Sequence, residues 1–180
     1  MKQPLDNPFF SIDAKQIYSS LITTNLSSSL NNLLQDRERM LSTLMSNLKG
    51  MVYCCLLDEN WTMVFVSDGC VGLTGYNADD LLFNHRITYE ALTFKDDRVW
   101  VRDSIHGAVK IGEQFELEYR ILHADGSIRW VQENGGPLLN ESGELEALEG
   151  FIQDITCRKQ SEQLVKLELS MNLVKTIFIL

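Results

Sequence analysis

The sequence has few of the features that stabilise small secreted proteins or anchor a chain in a membrane. Its four cysteines, Cys54, Cys55, Cys70 and Cys157, follow no paired spacing, and the polar start is not followed by the apolar core of a signal peptide. The longest apolar run inside the body of the chain, Met51 to Leu57, is far shorter than the ~20 residues that cross a bilayer. We therefore expect free thiols, a cytoplasmic location and no direct membrane insertion.

Basic residues are also scarce. The sequence contains 16 lysines and arginines against 25 aspartates and glutamates, which gives a net charge of -9 at pH 7. This charge repels nucleic-acid phosphates and offers no polybasic surface to anionic lipid, so we expect no nucleic-acid partner. At 180 residues the chain is long enough to bury roughly 70% of its unfolded surface, so one domain with extensions needs no disulfide.

The usual signatures of catalysis and metal binding are absent from the sequence. Glycines recur at every third position from Gly69 to Gly75, but without the context of a phosphate-binding loop. The histidines and cysteines show no zinc-type pairing, and the adjacent Cys54 and Cys55 would point to opposite faces of a strand. No base can be assigned beside Cys70, so a buried, inert thiol is favoured over a nucleophile. The sequence predicts neither an enzyme nor a metal site.

The N-terminal quarter of the chain has the pattern of one long helix. Residues 12–49 contain neither proline nor glycine, and Gly50 ends the segment. Apolar residues recur there in two helical stripes, which comprise Leu26, Leu30, Leu33, Met40 and Leu44 in one and Leu34, Leu41 and Leu48 in the other. We predict an amphipathic helix over residues 12–49, preceded by a flexible lead of residues 1–11.

The C-terminal segment, residues 157–180, is also expected to be helical. Its apolar residues alternate at spacings of three and four: Leu164, Leu167, Met171, Val174 and Phe178. This is a heptad seam of about two repeats, shorter than a secure coiled coil requires. The pattern favours a coiled coil, with a helix folded back on its own domain as the alternative.

Between these helices the sequence indicates a sheet. From Gln114 to Ile121 polar and apolar residues alternate strictly, and Asp125-Gly126 favours a tight hairpin in which both residues take positive φ. The predicted strands are Val52–Leu57, Met63–Ser67, Gln114–Leu122, Ser127–Asn134 and Leu145–Ile155, with Gly135-Gly136-Pro137 ending the fourth. Two helices are predicted between the second and third strands: Ala78–Leu82, capped by Asn77, and a longer one from about Lys95 to Lys110, with Val99, Ile105 and Val109 buried.

These segments together resemble a PAS domain, the PAS/PAC sensory module of bacterial signalling proteins such as two-component systems. Its second half is similar to the sequence that runs from Asp125-Gly126-Ser127-Ile128-Arg129-Trp130-Val131 to Gly150-Phe151-Ile152-Gln153-Asp154-Ile155-Thr156. Its first half is similar to a stretch that includes Leu73-Thr74-Gly75-Tyr76. The resemblance covers about residues 50–159. It implies an α+β fold, in which a five-stranded antiparallel sheet with a helical crossover forms the domain of residues 50–156.

The resemblance also implies a ligand pocket between the sheet and the crossover. The candidates are the residues expected to point inward: Tyr53, Cys55, Phe65, Val71, Leu73, Tyr76, Ile87, Ile105, Val109, Phe115, Leu117, Tyr119, Trp130 and Phe151. An apolar set of this kind is equally what a filled core requires, so core packing is the alternative for each residue.

The cofactor is left open by the resemblance, and no cofactor at all is one possibility. Flavin-binding photosensor PAS domains carry Asn-Cys-Arg-Phe where this chain has Asn84-His85-Arg86-Ile87, so His85 replaces the thiol that would react with flavin. Haem-binding members use a histidine on the long helix, and His106 lies on that helix but near its end. The sequence therefore disfavours both flavin and haem.

Asp154-Ile155-Thr156 is the junction at which PAS domains pass from the last strand into a signalling helix. The resemblance implies that Asp154 pairs with a neighbouring strand, through either Arg129 or the indole of Trp130, while capping of Cys157 or Arg158 is the simpler expectation. We expect a homodimeric sensory module whose flanking helices pair with a second subunit and drive a separate output protein or an output domain missing from this chain. The alternatives are a ligand-free scaffold for protein interactions or a fragment of a sensor kinase or cyclase.

Overall fold

The computed structural model describes the backbone of residues 14–178 and the side chains of residues 29–171. The chain divides into two compact units, Met1–Leu44 and Met45–Leu180. Helix α1, Ala14–Ser46, supplies the described part of the first unit and continues two residues into the second. Its predicted leucines are exposed: Leu30, Leu34, Leu41 and Leu44. Leu48 is also exposed but lies after the helix, which ends at Ser46 and not at residue 49 as predicted. The expected flexible lead, residues 1–11, and the side chain of Leu26 lie outside the described residues.

The second unit is built on one antiparallel sheet of five strands. The strands are β1 (Met51–Cys55), β2 (Met63–Val66), β3 (Phe115–Leu122), β4 (Ile128–Leu139) and β5 (Leu145–Asp154). They lie in the order β2-β1-β5-β4-β3, so the first and last strands of the chain pair at the middle of the sheet. The predicted α+β architecture with a five-stranded antiparallel sheet is confirmed.

Strand β4 is longer than its sequence suggested. The prediction that Gly135-Gly136-Pro137 ends this strand is wrong, because β4 continues to Leu139 and its last residues pair with β5. Strand β3 begins only at Phe115, opposite Gly135, so β4 has a free edge beyond that point. A proline is tolerated on a free edge since its missing N–H breaks no ladder there.

Four short or medium helices cross over one face of the sheet: α2 (Gly69–Thr74), α3 (Ala78–Leu81), α4 (Tyr89–Leu92) and α5 (Arg98–Lys110). Asn77 caps α3 as predicted, and its own N–H donates to Asp80 Oδ2 at 3.1 Å. The expectation that Val99 is buried is wrong: its side chain is 71% exposed, whereas Val101 is 3% exposed. Val101 and Ile105 lie one helical turn apart, so they define the buried stripe and Val99 faces solvent.

The turn between β3 and β4 differs from the predicted hairpin. Gly126 has a φ of +85°, but Asp125 is not in the left-handed region. The Asp125 carboxylate instead accepts the Ser127 N–H at 2.8 Å, and His123 N–H donates to the Ser127 carbonyl at 2.9 Å. Only one residue of the pair therefore needs positive φ, because the aspartate side chain supplies the remaining contact.

Helix α6, Thr156–Phe178, follows β5 after one residue. Its predicted seam residues Leu164, Leu167 and Met171 are exposed, while the side chains of Val174 and Phe178 lie outside the described residues. Within residues 14–178, no helix combines the length and apolar character needed to cross a membrane.

Candidate functional site

A buried carboxylate lies at the centre of the space between the sheet and the crossover helices. Glu133, on β4, is 4% exposed. It accepts hydrogen bonds from two phenols: Tyr53 donates to Oε1 at 2.5 Å and Tyr119 donates to Oε2 at 2.8 Å. The hydroxyl of Tyr89, on α4, lies 2.9 Å from that of Tyr119 and extends the network to the crossover. We call Glu133, Tyr53, Tyr119 and Tyr89 the tyrosine cluster.

Burial governs the protonation of this cluster. Loss of solvation raises the pKa of Glu133, and the two donated hydrogen bonds oppose that rise only in part. The same burial raises the pKa of all three phenols well above their usual value, with the nearby Glu133 charge as the next cause. Tyr53, Tyr89 and Tyr119 are therefore protonated donors at neutral pH, and Glu133 is the group of the cluster whose burial makes it hold a proton more tightly than usual.

The interior around the cluster is packed. The cavity there has a volume of about 10 Å³ and is lined by eleven side chains: Tyr53, Cys55, Trp61, Met63, Tyr89, Thr93, Val101, Ile105, Tyr119, Glu133 and Leu148. One water molecule needs roughly 10–15 Å³, and pockets for small molecules run to roughly 300–1,000 Å³. Haem and flavin do not fit this interior. His106 and His85 are both exposed, and His106 packs its ring edge against Trp61 at 6.2 Å between centroids.

Most of the predicted pocket residues do lie in this interior. Tyr53, Cys55, Ile105 and Tyr119 line the cavity. Six more belong to the surrounding core, namely Leu73, Tyr76, Ile87, Val109, Phe115 and Leu117. Their role in binding a ligand stays a prediction, because the same contacts make a filled core.

Phe65 and Trp130 do not point inward as expected. A bulge in β2 pairs Cys54 with Phe65 but Cys55 with Met63, which turns Phe65 to the opposite face and leaves it 42% exposed. Trp130 alternates with the buried Val131 and therefore lies on the outer face of β4. Val71 is exposed on α2. Phe151 alternates with the buried Ile152, so its predicted inward position is also wrong. Phe151 and Phe65 both border an open groove of about 930 Å³.

The end of β5 is tied to its surroundings through both oxygens of Asp154. Arg129 Nη1 donates to Asp154 Oδ2 at 3.2 Å and also to the carbonyl of Gly72 in α2 at 2.7 Å. Asp154 Oδ1 accepts the N–H of Thr156 at 2.8 Å. Asp154 therefore caps Thr156, and the expectation that it caps Cys157 or Arg158 is wrong. Of the two candidate partners, the structure selects Arg129, since no hydrogen bond of the Trp130 indole to Asp154 is formed among the described side chains.

The backbone of Trp130 completes this junction. Its N–H donates to Thr156 Oγ1 at 3.0 Å, and its carbonyl accepts the N–H of Ile155 at 2.9 Å. The first turn of α6 is thus hydrogen-bonded to β4, and Arg129 connects the same turn to α2.

Three of the four cysteines are in surroundings that disfavour a nucleophile. Burial raises the pKa of Cys54, Cys55 and Cys70, which disfavours the thiolate that a nucleophile needs. Over the side chains of residues 29–171, no three His, Cys, Asp or Glu residues are grouped so as to hold a metal ion.

Glu133 and Tyr89 are the site residues that sequence reasoning missed. A signal for Glu133 was available, because the alternation of β4 places it on the same face as Val131. The sequence holds no such signal for Tyr89, because helix α4 has only four residues and the burial of Tyr89 depends on tertiary packing.

Comparison with known proteins finds one matching family model and several similar sequences. A family model described as "PAS fold" matches residues 63–152. The chain is similar to the methyl sulfide methyltransferase-associated sensor of Methanosarcina acetivorans, at 32% identity over 131 residues that cover 72% of this chain and 13% of that protein. It is also similar to the blue-light-activated histidine kinase of Brucella ovis, at 32% identity over 108 residues that cover 57% of this chain and 21% of that protein. The chain thus spans only a small part of these relatives.

Solved structures show the same fold. A sensory box histidine kinase/response regulator from Burkholderia thailandensis superposes with a TM-score of 0.59 at 22% identity, covering 73% of this chain and 95% of that structure. The PAS domain of a protein from Colwellia psychrerythraea gives a TM-score of 0.57 at 20% identity, covering 69% of this chain and 98% of that one. The junction and the packed interior described above therefore belong to a fold that recurs in sensory proteins.

Proposed function

The chain belongs to the PAS fold family, and on that premise we propose that it is a sensory and dimerisation module in signal transduction. Residues 50–156 form the sensory domain, and a change in its interior or at a partner surface passes through Asp154-Ile155-Thr156 to helix α6. The observation that carries this proposal is the double engagement of Asp154, which joins Arg129 to the N–H of Thr156. Any movement of β4 or α2 that displaces Arg129 alters the start of α6.

Dimerisation is supported by apolar residues that the chain leaves uncovered. Leu34 and Leu41 of α1 are exposed, as are Leu48 just after it and Leu164 and Leu167 of α6. Stripes of this kind are typical of protein–protein interfaces, and their spacing suits helices that pair with those of a second subunit. Reorientation of the paired α6 helices is the output that a downstream partner reads.

The partner is a signalling protein or an output domain joined to α6. The curated relatives named above include a sensor and a histidine kinase, each much longer than this chain. We place the module in a reducing cytoplasm because all four of its cysteines are free. His85 stands where flavin photosensors have their reactive thiol, so light sensing by a cysteinyl adduct is not part of the proposal.

Light scattering tests the dimer. At tens of micromolar, the wild-type chain is expected at twice the 20.6 kDa of one subunit. Replacing Leu164 and Leu167 together with glutamine removes the α6 stripe and should shift the mass toward the monomer, whereas Lys166→Gln, on the same helix but outside the stripe, should not. A wild-type monomer at this concentration would contradict the dimerisation proposal.

A second function, a ligand-free scaffold for protein interactions, is favoured by the packed interior. The cavity of about 10 Å³ leaves no space for a small molecule unless the core rearranges. Native mass spectrometry of the freshly purified protein distinguishes the two functions. A retained small molecule supports sensing through the interior, whereas a mass equal to that of the polypeptide supports the scaffold.

A further inference from the structure

We infer that the indole of Trp130 couples the position of α6 to that of the loop that precedes α5. The coupling arises because Arg120, which is bound to the loop, and Lys159 of α6 both contact the Trp130 ring. This inference rests on the proposed signalling function and adds a second route beside Asp154. It involves four outer-face residues of β3 and β4, Glu118, Arg120, Trp130 and Gln132, which we call the platform.

The loop before α5 is fastened to the edge of the sheet at one end of the platform. Asp97, at the start of α5, is 6% exposed and receives three hydrogen bonds from Arg120: one from its N–H at 2.9 Å, one from Nε at 2.9 Å and one from Nη2 at 2.5 Å. Phe94 N–H donates to the Arg120 carbonyl at 2.8 Å, and Thr93 bridges Ile121. Arg120 therefore follows any displacement of residues 93–97.

Arg120 also reaches the tryptophan. Its guanidinium carbon lies 4.3 Å from the centroid of the Phe94 ring and 5.7 Å from that of Trp130, directly across the β3–β4 ladder. Both distances are within the ~6 Å at which a cation is attracted to an aromatic face. One side chain thus contacts the loop, the helix start and the tryptophan.

Helix α6 contacts the platform from the other direction. Lys159 Nζ lies 5.0 Å from the Trp130 centroid and 2.5 Å from Glu118 Oε2, while Arg158 Nη2 donates to Glu118 Oε1 at 2.6 Å. These hydrogen bonds lower the pKa of Glu118, so the carboxylate is charged at neutral pH. The first turn of α6 therefore lies on the platform through two cations, one of which shares the tryptophan with Arg120.

The tyrosine cluster connects to the same path. Tyr119 directly precedes Arg120 on β3, and its hydroxyl contacts that of Tyr89 on α4, four residues before Thr93. A change in the interior that separates the two phenols would move both the strand and the loop to which Arg120 is bound. The α6 contacts are partly exposed and individually weak, so they favour one helix position without fixing it.

Hydrogen exchange in the full chain tests this inference. Arg120→Met keeps the aliphatic stem but removes the cation, and should speed the exchange of amides 159–163 by roughly fivefold or more, the lower end of coupling between sites. Lys159→Met, at the other end, should in turn speed exchange in residues 93–97, because coupling is reciprocal. Each effect should disappear in a Trp130→Leu background, in which no ring connects the cations.

A second ion pair of the crossover provides the matched control. Arg102 of α5 donates to Glu90 at 2.9 Å and lies 4.4 Å from the Trp61 centroid. Its other hydrogen bonds go to the carbonyls of Asp58 and Glu59, so among the described side chains it is bound away from the platform. Arg102→Met should leave the exchange of amides 159–163 unchanged.

The outcomes separate this inference from the function on which it rests. If Arg120→Met is too unstable to study, the exchange of residues 93–97 in Lys159→Met tests the coupling through Trp130 by itself. Unchanged exchange at the far end, or an effect that persists in Trp130→Leu, overturns the role of Trp130, while a response of amides 159–163 to Asp154→Ala would still support the junction. Unchanged exchange in all of these variants overturns both.

Discussion

At the scale of single residues, Glu133 is the most unusual feature of the molecule. A carboxyl group in a packed interior costs free energy when it is charged and has no cation beside it. Two phenol donors reduce that cost, but the pKa of Glu133 still rises. The folded protein therefore holds a proton more tightly than the unfolded chain does.

This linkage predicts the direction of a pH effect. Above the ordinary pKa of 4.5, the unfolded chain releases the Glu133 proton before the folded one does, so stability falls as pH rises toward the folded pKa. The slope in that window is about 1.4 kcal/mol per pH unit. Urea denaturation of Glu133→Gln should lack this slope, because the amide cannot ionise. Glu113→Gln, an exposed control, should retain it, and an identical slope in Glu133→Gln would exclude the effect.

Asp97 acts in the opposite direction and in a different range. Arg120 holds the pKa of Asp97 below its ordinary value of 3.8, so the stability it contributes is present above that pH and is lost as pH falls through the folded pKa. The two carboxyls can therefore be told apart in one titration.

Gly135 gives a second prediction at this scale. A Cβ built there would lie 2.6 Å from the Phe115 ring and 2.7 Å from the Tyr53 hydroxyl, so Gly135→Ala should destabilise the protein by about 1–3 kcal/mol through overpacking. Gly107→Ala on α5 has nothing within 4 Å and should instead stabilise by about 0.5–1 kcal/mol. Thermal unfolding of the two variants compares them directly, and equal effects would rule out the close packing of Tyr53.

At the scale of elements, the junction between β5 and α6 shows what sequence can and cannot provide. Alternation and turn residues located every strand, and the motif at residues 154–156 marked the start of α6. The choice of Arg129 over the Trp130 indole depended on which side chain crosses to the end of β5, which spacing does not determine. The bulge that turns Phe65 outward and the free edge that admits Pro137 are likewise properties of pairing.

The junction predicts a graded effect of substitutions at Asp154. Asp154→Ala loses both the cap on Thr156 and the contact with Arg129, and should cost about 1 kcal/mol and speed exchange at the start of α6. Asp154→Asn keeps an oxygen for the Thr156 N–H and should cost less. A double-mutant cycle with Arg129→Met should give a coupling below about 1 kcal/mol, because the pair is partly exposed. Equal effects of Ala and Asn would show that the cap contributes nothing.

At the scale of the whole molecule, the chain combines a filled domain with helices whose apolar residues are uncovered. The strands and the two flanking helices followed from sequence periodicity, since periods of two and of about 3.6 separate strands from helices. The arrangement of the strands in one five-stranded sheet followed from the family resemblance. The packed state of the interior did not follow, because pocket-lining and core residues have the same composition. Only the arrangement of Tyr53, Tyr119 and Glu133 shows that polar groups fill the centre.

The α6 seam extends to a residue that can report on the dimer. Cys157 lies seven positions before Leu164, at the same place in the heptad, and is exposed. In a parallel pair of α6 helices the two copies of Cys157 face each other across the seam. A nitroxide on this thiol in each subunit therefore measures the distance between the first turns of the two α6 helices.

The most direct test of a dimeric module read through α6 is pulsed electron–electron double resonance between nitroxide labels on Cys157. The labelled protein carries Cys54→Ser, so that Cys157 is the exposed thiol among the described cysteines. We expect a short distance between the two labels that lengthens or broadens in Asp154→Ala. The absence of any dipolar coupling between labels, or a distance that Asp154→Ala leaves unchanged, would contradict the account.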